Sequence, residues 1–187
     1  MWYPSTVVTP PTWEPVTLAE AKEQCGVLDV ETHFNALLTR LIKTARSESE
    51  RYCNAVWAEQ TIASPCSDFH DLARLPHGPL KSVVSIGYVD LAGGEQVVDD
   101  TAYEVRKDGL EPAIVVAHGQ AWPRIRHGSR ITLTAVYGEA VPEVVQHAML
   151  MMINHWFVNR EAVVTGTIAT TIPLGVDALL ANDRRGA

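Results

Sequence analysis

Residues 141–161 constrain the fold more than any other part of this chain. Pro142 lacks the N–H that the first turn of a helix leaves unpaired, so it suits a helix start. Glu143 places negative charge at the positive end of the helix dipole. Val145, Ala148, Met149, Met152, Ile153 and Trp156 then recur at three- and four-residue steps, the spacing of one helical face. Val144, Leu150, Met151 and Phe157 add apolar surface beyond that stripe. A helix apolar around most of its circumference is expected to be buried on most sides, as a core helix or as one that also packs on another subunit.

Such a helix needs partners, and the first third of the chain supplies them. Thr17-Leu18-Ala19-Glu20 reads as a capping box opening a short helix with Leu18, Ala21 and Cys25 on one face, stopped by Gly26. Asp29 is the expected cap of a second helix. Its apolar positions Phe34, Leu37, Leu38, Leu41, Ile42, Ala45, Tyr52 and Val56 keep helical spacing for about seven turns. Arg40, Lys43, Arg46, Glu48, Glu50 and Arg51 form its wet side, with Ser47 and Ser49 weakening the middle. Ahead of both helices, Pro4, Pro10, Pro11 and Pro15 make residues 1–16 an extended arm. Trp2 and Trp13 on that arm need a surface to bury against, this subunit's or a neighbour's.

From residue 57 to residue 137 the pattern changes. Prolines and glycines recur, separated by short β-branched or alternating runs at 60–63, 83–89, 96–98, 103–106, 113–116 and 130–137. Ala92-Gly93-Gly94 reads as a hairpin turn. Ile131-Thr132-Leu133-Thr134-Ala135-Val136-Tyr137 is a strand with one oily face and one threonine face. The expected fold class is therefore α+β: a long-helix bundle with an inserted small antiparallel β lobe. The boundaries are an extended arm at 1–16, a helical domain from 17–57 with 142–162, a β lobe at 58–141 and a C-terminal segment at 163–187. In that last segment 165–171 is small and polar. Pro173 opens an apolar piece with Leu174, Val176, Leu179 and Leu180, followed by a polar tail carrying Arg184 and Arg185. The segment is expected to be loosely held in the free subunit and to dock on a partner.

The 187 residues carry a formal net charge of −7, which argues against a general nucleic-acid binder. Cys25, Cys53 and Cys66 make an odd count without paired spacing, which favours a reducing compartment. The start lacks the features of a signal peptide, and no run is apolar enough to span a bilayer, so a soluble cytoplasmic protein with no membrane partner is expected. No phosphate loop, dinucleotide fingerprint, zinc-protease helix or nucleophile elbow is present. Cys66 and His70 have ligand-like spacing but no second close pair, and His147 and His155 lie two turns apart, too far for one metal. Asp68, Asp71, Asp99 and Asp100 read as solvated loop carboxylates. The expectation is no catalytic residue, no metal and no cofactor: a protein that works by contact. A small hydrolase with a buried site around His77, His118 and Asp90 is the remaining chemical alternative, although nothing in the sequence brings those side chains together.

Several segments stand in an order that resembles one family. They are Pro15-Val16-Thr17-Leu18-Ala19-Glu20-Ala21-Lys22, Leu41-Ile42-Lys43-Thr44-Ala45-Arg46, and Leu75-Pro76-His77-Gly78-Pro79-Leu80-Lys81-Ser82-Val83. Then come Ile86-Gly87-Tyr88-Val89-Asp90, His155-Trp156-Phe157-Val158-Asn159-Arg160-Glu161-Ala162, and Pro173-Leu174-Gly175-Val176-Asp177-Ala178-Leu179-Leu180. The series resembles the adaptor-type head–tail connector proteins of long-tailed bacteriophages, prophages and gene transfer agents. The resemblance implies a homo-oligomeric ring of about twelve subunits under the portal protein, with DNA passing through its lumen without sequence-specific binding. It implies a helical ring-building part carrying the β lobe, a stopper or other tail-side component as a further partner, and a role in genome packaging and ejection. The place implied is the head–tail interface of a virion or gene-transfer-agent particle, after synthesis in the host bacterial cytoplasm. The other assembly roles left open are head closure (the stopper) and tail completion. Portal-docking candidates are Leu174, Val176, Leu179, Leu180, Arg184 and Arg185; subunit-contact candidates are Trp2, Trp13, Arg40, Arg46, Met151 and Phe157.

Overall fold

The structure, a computed structural model, describes residues 1–159 and 174–186. The chain divides into two compact units, one of residues 1–12 with 56–139 and one of 13–55 with 140–187.

The first unit is built on a five-stranded antiparallel sheet. Its strands are β1 (Thr6–Thr9), β2 (Gln60–Cys66), β3 (Leu80–Val89), β4 (Glu95–Val97) and β7 (Ile131–Tyr137), in the order β1-β2-β7-β3-β4. Strands β5 (Tyr103–Arg106) and β6 (Ala113–Val116) pair separately. The alternation in β7 sends Ile131, Leu133, Ala135 and Tyr137 into the core, leaving Thr132, Thr134 and Val136 on the other face. Leu80 and Ile86 of β3 share that core with Phe69, Leu72, Leu75 and Ile114, and Trp122 stacks on Phe69 at 4.8 Å between ring centroids. The β3–β4 hairpin turns where the sequence places Ala92-Gly93-Gly94. The Asp90 carboxylate accepts the N–H groups of Ala92 and Gly94, each at 2.9 Å, and Gly93 takes φ +91°.

Part of the expected extended arm belongs to this sheet. Residues 6–9 pair antiparallel with β2 as an edge strand. Ahead of it Trp2 bridges to Cys66, and the Tyr3 N–H donates to the Pro65 carbonyl at 2.9 Å. Thr6-Val7-Val8-Thr9 is β-branched throughout, so it suits a strand once an open sheet edge lies beside it. The prolines on either side confine it to four residues.

The described residues of the second unit form four helices: α1 (Leu18–Gln24), α2 (Asn35–Cys53), α3 (Glu143–Val158) and α4 (Leu174–Leu180). The capping box of α1 forms as the sequence expects: the Glu20 N–H donates to Thr17 Oγ1 at 3.2 Å, and the Thr17 N–H to Glu20 Oε2 at 2.7 Å. Gly26, at φ +66°, lets the chain leave the helix.

The helices depart from expectation at both ends of α2. Asp29 does not cap it; α2 starts at Asn35 with Phe34 at its cap position and no side-chain cap bond. The intervening residues are held in a turn instead: Glu31 accepts the Leu28 N–H at 2.9 Å, and Lys22 Nζ donates to the Asp29 carbonyl at 2.9 Å. Asn54 then adopts the left-handed conformation (φ 51°) and ends α2, so Val56 falls in the other unit. The expected long-helix bundle is thus not found. The helices are 7, 19, 16 and 7 residues long.

Helix α3 is buried along one stripe, Val145, Ala148, Met149, Met152 and Ile153, rather than on most sides. Trp156 is only half-buried, and Val144 and Val158 are exposed. The facing interior comes from Ala21 of α1, Leu38, Ile42 and Ala45 of α2, and Val176 and Leu180 of α4. Ser49, expected to weaken α2, is buried and donates to the Ala45 carbonyl at 2.8 Å, so its hydroxyl is satisfied. Among the described residues no helix is long and apolar enough to cross a membrane.

Candidate functional site

Cys53, Cys66, His70, His77 and the carboxylates of Asp68, Asp71, Asp90 and Asp99 each have a local partner. Among the described residues no group of three or more His, Cys, Asp or Glu side chains could hold a metal ion. Cys66 is buried and its thiol donates to the Asp68 carbonyl at 3.4 Å; burial, with Asp71 adding to it, pushes the thiol up to about 11. Cys53 is pushed up to about 11 chiefly by burial, and its thiol points at the Leu180 carbonyl at 3.7 Å. Both thiols are protonated at neutral pH, the state of a packing residue rather than of a nucleophile or a ligand. His70 is exposed and pairs with Asp68 at 2.6 Å. The Asp68 carboxyl is held below the usual carboxylate range by the His70 N–H and then by the His70 ring. Asp99 is held down in the same way by the Thr101 hydroxyl and N–H.

His77, His118 and Asp90 do not make one site. His77 lies just before β3 and Asp90 just after it, and a ten-residue strand spans roughly 30 Å. His77 Nε2 sits 2.9 Å from Ser5 Oγ, which in turn lies 2.9 Å from Ser64 Oγ. This chain of three escapes sequence reading because its members come from β2 and from segments flanking β1 and β3. It ties the N-terminal strand to the sheet. Asp90 is committed to its own turn through Ala92, Gly94 and Gln96, and His118 is exposed in a loop.

The surfaces are more informative. Trp2 is half-buried in its own unit, with Nε1 donating to the Arg74 carbonyl at 3.0 Å. Trp13 remains 39% exposed, which leaves an aromatic edge open on the second unit. Arg46 is the centre of a half-buried ion-pair network, 2.7 Å from Glu14 and 2.8 Å from Glu50. Arg40 is exposed on the outer face of α2. Met151 is half-buried, its methyl beside Gly175, and Phe157 meets Phe34 edge-on at 5.1 Å between centroids.

The C-terminal candidates divide. Val176 and Leu180 are fully buried against their own unit, while Leu179 is half-buried. Leu174 opens α4; its side chain, like residues 160–173, lies outside the described residues. The expectation of a loosely held 165–171 therefore also lies outside them. Arg184 is exposed and lies over the Tyr52 ring at 5.6 Å, whereas Arg185 is buried and donates its backbone N–H to the Cys53 carbonyl at 2.8 Å. Together with the Tyr52 hydroxyl donating to the Asp177 carbonyl at 3.4 Å, these bonds fasten the tail to the last turn of α2.

No family model matches the sequence, and no curated protein does. Solved structures do match in fold. A chain of the neck of an empty gene transfer agent (GTA) particle, computed with C6 symmetry, superposes with a TM-score of 0.80 at 20% identity, covering 99% of this chain and 97% of that one. A chain of the virion of a native GTA particle gives 0.77 at 21% identity, with the same coverage. A chain of the neck of a native GTA particle computed with C12 symmetry gives 0.73 at 18% identity, again over 99% and 97%. This chain shares, from end to end, the fold of chains in the necks and virions of gene transfer agent particles.

Proposed function

We propose that this protein is a structural head–tail connector of the adaptor type. It forms a ring under the portal, links the capsid to the tail and leaves a channel for DNA. The observation that carries the reading is the end-to-end fold likeness to GTA neck chains, spanning both units rather than one common module. The six- and twelve-fold symmetry of those necks supports a ring of about twelve copies, since a subunit repeated about an axis closes head to tail. The net charge of −7 suits a lumen that lets DNA slide, because an acidic surface offers few phosphate contacts.

On this reading the portal protein lies on one side of the ring and a stopper or other tail-side component on the other. The particle's head–tail interface is the working location. The C-terminal segment is the portal-docking element, with Leu179 and Arg184 its accessible residues. Docking through Val176 or Leu180 requires α4 to leave its own unit. Cryo-electron microscopy of particles carrying this protein tests the assignment. An axial ring directly beneath the portal is expected. A ring lower in the neck selects head closure or tail completion, and absence from the particle overturns the reading.

A further inference from the structure

A closed ring needs two different surfaces on each subunit, one engaging the neighbour ahead and one the neighbour behind. Resting on the ring reading above, we propose that these surfaces are the outer faces of α1 and α2, and that the partner is a second copy of this chain. The outer face of α2 presents Ala36, Thr39, Arg40, Lys43, Thr44 and Ser47, with Glu48, itself paired to Arg51, at one end. Four of these are short, so Arg40 and Lys43 stand above a shallow groove. The ion pairs among the described residues of this unit use Arg46 with Glu14 and Glu50, and Arg51 with Glu48; neither Arg40 nor Lys43 takes part.

The outer face of α1 carries the complement. Glu20 and Glu23 are exposed three residues apart, the same step that separates Arg40 from Lys43, so each pair stands on one side of its helix. Four residues past α1 comes Leu28, 66% exposed, followed by Val30, 82% exposed. Both helices pack on their neighbours through their inner faces: Ala21 and Lys22 in α1, Leu38, Ile42 and Ala45 in α2. Their outer faces thus carry opposite charge, and among the described residues none covers them.

Magnitudes decide the division of labour. Exposed ion pairs contribute little each, so Glu23 and Lys43 set register and partner choice. Leu28 and Val30 supply apolar area, which the short side chains of the α2 groove allow to approach closely. The partner is another copy and not DNA, because the matching carboxylates belong to the same chain and the acidic α1 face repels phosphate.

The test uses Lys43→Glu and Glu23→Lys in the full chain, followed by sedimentation velocity and native mass spectrometry, alone and with the portal protein of the same particle. Each variant places like charges at the contact and is expected to weaken each contact about tenfold. An equimolar mixture restores attraction at every contact of a ring in which the two variants alternate. At one contact the introduced glutamate meets the introduced lysine, and at the next native Lys43 meets native Glu23. Recovery in the mixture supports the proposal, and Leu28→Ser with unchanged melting but reduced association supports it further. Wild-type rings indifferent to all three substitutions overturn this contact while leaving the ring reading intact. Loss of DNA retardation by Lys43→Glu without loss of association also overturns it. A wild-type chain that associates neither alone nor with the portal overturns the ring itself.

Discussion

Gly138→Ala is a severe test of the sheet unit. Gly138 follows β7, is buried, and takes φ +87°, where a side chain is strained. A Cβ there would stand 2.6 Å from the Ala58 carbonyl carbon, 2.7 Å from its oxygen and 2.8 Å from the Glu59 nitrogen. Those atoms are backbone and cannot swing aside as a side-chain tip can. The Gly138 N–H also donates to the Pro79 carbonyl at 3.0 Å, which pins the residue from the other side. Left-handed strain costs about 1–2 kcal/mol and forcing an extra carbon into a packed site about 1–3, together about 2–5 kcal/mol. Gly119→Ala is the matched control: its φ is +76°, but nothing lies within 4 Å of the added carbon. It should lose only the strain, about 1–2 kcal/mol. Urea denaturation followed by circular dichroism measures both. Equal losses would show that the backbone contact costs nothing, and a wild-type midpoint for Gly138→Ala would refute the reasoning altogether.

Met152→Ala should cost about 2–5 kcal/mol in the same assay and Trp156→Ala clearly less, although they share a helical stripe, because only Met152 is fully buried; the reverse order would mean that the tryptophan carries the packing. With a thiol reagent at mildly alkaline pH, Cys25 should react first, and Cys53 and Cys66 only on unfolding. Their folded values of about 11 lie above the ordinary 9.0, so the stability gained from keeping them protonated is complete below pH 9 and lost as pH rises through 11. A midpoint unchanged across that window would contradict the assignment. The isolated protein should not retard random duplex DNA at submicromolar concentration, given its net charge of −7. A salt-sensitive shift there would require phosphate contacts that the acidic surface does not offer.

The features legible in the sequence are those set by neighbours a few residues away. The Thr17–Glu20 box, the Gly26 stop, the Gly93 turn and the alternation in β7 each follow from chemistry spanning at most one turn or one strand. Where expectation and structure part, the deciding partner comes from outside the local pattern. The start of α2 moved because Lys22 and Glu31 hold residues 28–31 in a turn that competes with capping by Asp29. Residues 6–9 became a strand because β2 offered an edge more than fifty residues later. The Ser5, His77 and Ser64 chain was invisible for the same reason.

The sequence by itself determined the α+β class, the periods of α3 and β7, and the charge that disfavours a nucleic-acid binder. These depend on residue type and spacing, which the order of amino acids states directly. Tertiary structure alone decided which apolar residues are covered. The apolar girdle of α3 takes in Met152 and Val144 alike, yet one is buried and the other 44% exposed. It also decided that Val176 and Leu180 lie against their own helices while Leu28 and Val30 face outward. Hydrophobicity states that such a side chain favours burial; only the arrangement of the surrounding helices states where that burial is available.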